Sequence, residues 1–166
     1  MPTNQEQSPS SENTSQHKPV HQDELPVVET FDDDEVLYRR YLLAHFVDHE
    51  LVPQHFQFPR PSLNRSRFSQ PVDVLHPDCC DGRNLGPGWG VLECSASDVR
   101  VSVQSHDHQE LVLRPMHRPL PTCYAHSELW CIVAESGAEV KPSSTVKEKF
   151  RIRLAKKFNE RISATA

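Results

Sequence analysis

Four prolines, Pro53, Pro59, Pro61 and Pro71, fall within nineteen residues of this chain, and that interval constrains its fold more than any other. Proline fixes φ and has no N–H to give, so it interrupts a helix and is excluded from the middle of a sheet. Residues 53–71 are therefore expected to form an extended loop, with regular structure on either side. The same interval is locally cationic: Arg60, Arg65 and Arg67 stand among Ser62, Asn64, Ser66 and Ser69, and no acid occurs between Glu50 and Asp73. Guanidinium forks with nearby hydroxyl donors suit a phosphate or carboxylate. This makes Arg60, Asn64, Arg65, Ser66 and Arg67 candidate ligand-binding residues. The competing reading is structural, with the arginines pinning an irregular loop through backbone carbonyls and carboxylates such as Asp73. Phe56, Phe58 and Phe68 flank the loop and are expected to anchor it to the core.

Before the loop, Thr30 and Asp33 have the spacing of a capping box, and residues 32–35 place negative charge where a helix N-terminus favours it. Val36, Leu37, Tyr38, Tyr41, Leu42 and Phe46 recur at three- and four-residue intervals, predicting a helix that ends near Leu51. Residues 1–29 are rich in Ser, Gln, Asn, Pro and Glu, and are expected to be a disordered acidic and polar tail.

After the loop, four of the five glycines lie in residues 82–90, before the strand-like run Val91-Leu92-Glu93-Cys94. A phosphate-binding glycine loop follows a strand and opens a helix, so this context argues instead for a flexible turn. Val99, Val101 and Val103 alternate with polar residues and predict a strand turned back from the previous one at Ser97-Asp98. Leu111-Val112-Leu113 extends the pattern into an antiparallel meander, with His106-Asp107-His108 as a solvated turn. The apolar run from Leu129 to Ala134 fits a buried strand or a short helix. Val146, Phe150, Leu154 and Phe158 recur every four residues behind a Thr145/Glu148 capping box, predicting a closing helix. The expected architecture is a single α+β domain over residues 30–166, with an N-terminal helix, a small antiparallel β-meander and a C-terminal helix.

The net charge of −5 hides a gradient: residues 1–35 carry −8, residues 36–144 carry −2, and residues 145–166 carry +5. Nine of the ten bases in the middle segment are arginines, the cation suited to bidentate, partly buried pairing. A near-neutral body argues against broad nucleic-acid binding. No apolar run approaches the roughly 18 residues of a membrane helix, and no secretory signal layout is visible at the N-terminus. A cytoplasmic location without membrane association is expected. The five cysteines, including vicinal Cys79 and Cys80, lack disulfide-framework or zinc-ribbon spacing and read as reduced thiols.

His45 and His49 are four apart on the expected first helix, a spacing that lets two imidazoles share a metal. Asp48 stands where a His-x-x-Glu-His zinc peptidase carries its general-base glutamate, one methylene short. Surface or core-edge histidines are the simpler account of the pair. Cys123 and Cys131 flank His126, yet nucleophilic dyads form in space rather than in sequence, so buried thiols are the better reading. His126, Ser127 and Glu128 are candidates to share one mouth with the arginine loop, although no spacing rule connects them.

These observations favour a non-catalytic binding or adaptor module that engages a protein or an anionic ligand through the Arg/Ser-rich loop, without a cofactor. The alternative is a small hydrolase or transferase acting on a phosphorylated or nucleotide substrate, with Arg65 and Arg67 binding the anion and His49, His55 or His126 as acid or base. Zinc-dependent hydrolysis through His45 and His49 ranks behind both.

Overall fold

The computed structural model describes residues 25–75 and 88–159 and shows a curled antiparallel sheet closed by a C-terminal helix. The sheet strands are β1 (Val36–Leu42), β4 (Ser62–Arg65), β5 (Trp89–Ser95), β6 (Ser102–Gln104), β7 (Glu110–His117) and β8 (His126–Val133), in the order β5-β1-β4-β8-β7-β6. A small hairpin, β2 (Phe46–Val47) and β3 (Glu50–Leu51), stands apart from it. Two short helices, α1 (Pro71–Leu75) and α2 (Ala96–Val99), precede the long α3 (Ser144–Asn159).

The N-terminal helix expected over residues 30–51 is absent. Residues 32–35 form a turn in which Glu35 N–H donates to Asp32 O, and the chain then enters β1. β1 lies between β5 and β4, with Leu37 buried in the core on one face and its neighbour Tyr38 buried on the other. Apolar residues on both faces of a strand, here on either side of Arg39 and Arg40, imitate helical spacing. His45 falls in a 3-10 turn over residues 43–45, and His49 lies in the tight turn of the β2–β3 hairpin. The helical geometry that would have joined them is therefore missing.

The simple meander is also revised. β6, β7 and β8 are consecutive neighbours, but β4, β1 and β5 follow out of chain order. Val99 ends α2 rather than lying in a strand, and β5 and β6 occupy opposite edges of the sheet. Within the proline interval Ser62–Arg65 is an interior strand, with prolines only outside its limits. Cys79, Cys80 and most of the glycine-rich stretch lie outside the described residues, as does the tail up to residue 24.

The closing helix agrees with its four-residue apolar pattern: Val146, Phe150, Leu154 and Phe158 are all buried. Ser143 caps it, its Oγ accepting from Val146 N–H, two residues earlier than the expected cap. These side chains cover the sheet face formed by Leu37, Leu63, Leu113, Leu129 and Cys131. No helix among the described residues is long and apolar enough to cross a membrane.

Residues 26–31 lie as a strap along the body. Tyr124 Oη donates to Pro26 O, and Val28 N–H donates to His117 Nδ1 at 3.0 Å. Arg65 donates to Val28 O and Thr30 O. His117 is almost completely buried, and burial holds its pKa below the ordinary imidazole value, consistent with Nδ1 acting as an acceptor.

Candidate functional site

Successive residues of a strand face opposite sides of a sheet, and that alternation separates the candidate residues. In β4, Leu63 and Arg65 face the core and Asn64 faces away. Arg65 is fully buried: Nε and Nη2 hold the Glu35 carboxylate at 2.7 and 2.6 Å, and Nη1 reaches Val28 O. Its guanidinium lies 3.7 Å from the centre of the Phe31 ring. The chain's own groups thus occupy this fork, which leaves it unavailable to an external anion. Arg67 is exposed beside Phe68, and Ser66 N–H pairs with Val36 O. Neither is among the residues that line the cleft shared by Arg60, Asn64 and His126.

Arg60, Asn64 and His126 do come together, in a cleft of about 700 Å³. Its floor follows from register: Tyr38 pairs with Asn64, and Asn64 pairs with His126, so three polar side chains form a row across β1, β4 and β8. Backbone pairing between β1 and β4 stops at Tyr38, and beyond it β1 diverges from residues 53–61. Arg39 bridges that gap, donating from Nη1 to Ser62 O, from Nη2 to His55 O and from Nε to His55 Nε2 at 2.8 Å. Its guanidinium also lies over the Phe56 ring.

His55 can accept from a cation only as a neutral ring. Burial first, then Arg39 and His45, push its pKa down to about 3. The His45 ring packs at 4.5 Å, its Nδ1 accepting from Leu42 N–H, and its pKa is lowered by burial and by Arg39. Because the unfolded chain takes up a proton near pH 6.5 and folded His55 does not, the unfolded state binds more protons below that pH, so stability falls with acidification. Urea titrations are expected to show a loss from this site of up to about 1.4 kcal/mol per pH unit below about 6.5. His55→Gln keeps an acceptor for Arg39 and should flatten that slope relative to wild type.

The remaining walls were not foreseen from sequence. Arg40 and Trp89 lie on the cleft side of β1 and β5, and Leu120 and Val74 supply apolar surface. Burial, then the charge of Glu93, raises the pKa of Tyr38, which therefore remains a phenol at neutral pH. His126 Nδ1 lies 2.6 Å from Arg118 O, so Nδ1 carries the proton and a neutral ring keeps Nε2 as an acceptor. Arg60 is engaged by Glu139 at 2.7 Å and packs over Trp130. Among the described residues the half-buried Arg40 side chain has no hydrogen-bond or ion-pair partner. Among the described residues the lining includes three arginines and no carboxylate.

His49 and His106 are exposed and stand away from this cleft. Among the described residues no group of three or more His, Cys, Asp or Glu side chains is arranged to hold a metal ion. Compared with protein-family models, curated proteins and solved structures, the chain matches none of them.

Proposed function

We propose that this protein is a binding module whose cleft between β1 and residues 53–62 holds an anionic ligand or an anionic group of a protein partner. The observation that carries this reading is the charge of the lining: three guanidinium groups and no carboxylate among the described residues, in a chain of net charge −5. Arg39 knits the wall and Arg60 is shared with Glu139, so among the described residues Arg40 is the cation left for a ligand. The loop expected to bind thus contributes through Arg60, Ser62 and Asn64, while Arg65 holds the body together.

Thermal melts with inorganic phosphate and with phosphoserine test the proposal. A ligand at about one hundred times its Kd adds about 2.7 kcal/mol to the folded state. The stabilisation should disappear in Arg40→Gln and shrink at high salt, since it rests on charge. No shift with any anion, or an equal shift in Arg40→Gln, would remove the cleft as the anion site.

The second reading, a small hydrolase or transferase acting on a phosphorylated or nucleotide substrate, is favoured by one observation. His126 sits in the same cleft as Arg40, with its tautomer fixed by Arg118 O. Turnover abolished in His126→Gln with ligand affinity retained would establish it.

A further inference from the structure

The cleft combines two chemically different surfaces. Arg40, Tyr38, Asn64 and His126 make the cationic and polar floor described above. Beside Arg40, Trp89 is 36% exposed, a large area for an indole inside a concave site. The His45 ring stands against it at 6.4 Å with the planes nearly perpendicular, and His55 stacks behind His45. Gln54 and Gln57 flank His55 and line the same cleft. Their side-chain amides each offer both a donor and an acceptor.

We propose that the ligand is a nucleoside monophosphate, with its base on Trp89 and its phosphate at Arg40. This rests on the anion-binding reading and gives that anion a body. The indole face supplies a stacking platform, which serves any base because every base has a π-face. Glutamine amides match the mixed donors and acceptors of a base edge, whereas a phosphotyrosine ring has none to match. Trp89 and Arg40 occupy the same sheet face on adjacent strands, with Trp89 paired to Leu42 two residues beyond Arg40. That offset leaves space for a sugar between a stacked base and a bound phosphate. A volume of about 700 Å³ fits a single small ligand rather than a strand of nucleic acid.

The chain has two tryptophans, so a Trp130→Phe background makes Trp89 the only indole emitter. Fluorescence titrations with AMP, GMP, CMP, UMP, ribose 5-phosphate, adenosine and O-phosphotyrosine then separate the parts. At least one mononucleotide is expected to quench Trp89 and to bind about tenfold or more tighter than ribose 5-phosphate, the scale of one stacking contact. Arg40→Gln should weaken that nucleotide by about tenfold or more and leave adenosine unchanged. Calorimetry on the otherwise wild-type chain with Trp89→Leu should abolish the preference over ribose 5-phosphate, and it serves as the readout if Trp130→Phe fails to fold. Equal affinity for ribose 5-phosphate and every nucleotide would overturn the base subsite while the anion site stood. Tighter binding of O-phosphotyrosine would overturn it in favour of a modified peptide. No binding by any phosphorylated probe would overturn both this inference and the reading beneath it.

Discussion

Glu35→Gln is expected to lower the unfolding free energy by about 3–5 kcal/mol, the usual cost of removing one partner from a buried ion pair. The Arg65 side chain is fully buried, and that of Glu35 is only 6% exposed. The substitution leaves a full positive charge in the interior beside a neutral amide. Domains of this size are commonly stable by only 5–15 kcal/mol, so the variant should unfold at markedly lower urea concentration. Arg65→Met should be comparably damaging, because it strands the carboxylate and the Val28 and Thr30 carbonyls together. Adding Glu35→Leu to it should recover only part of the loss, since the carbonyls stay without their donor. Arg60→Ala provides the contrast: its ion pair with Glu139 is exposed on both sides, and the expected change is below about 1 kcal/mol. A small effect of Glu35→Gln would show that the strap does not depend on this pair.

Phe150→Ala should cost about 3–5 kcal/mol, the range for deleting a fully buried aromatic ring. Phe150 is fully buried in the face of α3 that covers the sheet, and it stacks on Phe58 at 5.9 Å with planes 11° apart. Its loss opens a cavity between the helix and residues 53–61, which form one wall of the cleft. Ile152→Ala, two positions along and 53% exposed, should change stability by less than about 0.5 kcal/mol. Equal effects of the two substitutions in urea unfolding would contradict the assigned helix face.

α3 was legible in the sequence because its apolar residues fall at spacing four over a full helix, a pattern no strand imitates at that length. β7 was legible in Leu111-Val112-Leu113 for the same kind of reason, with alternation between buried and half-buried positions. β1 was not. Its apolar residues fall on both faces, around Arg39 and Arg40, and helical spacing can be found among them. Read as a helix, the stretch gives the Arg39-Arg40 pair no special meaning. In a strand the two arginines leave opposite sides of the backbone, Arg39 to knit the cleft wall to residues 55–62 and Arg40 to line the floor. The same alternation divides Asn64 from Arg65. The meeting of Asn64 and His126 depends on the register of β4 against β8, a long-range pairing that local spacing does not encode.

One rim of the sheet, the β6 edge, is sealed against another chain. On the β6 side, α3 lays Lys149 Nζ on Gln104 O and Arg153 on Ser102 O, so cationic side chains occupy carbonyls that an added strand would need. Sheet-to-sheet polymerisation through that rim would first have to strip two charge-assisted contacts from the helix. The seal depends on α3 staying docked, and a variant that loosens the helix, such as Phe150→Ala, should therefore lose solubility as well as stability, by unmasking an acceptor row for other copies.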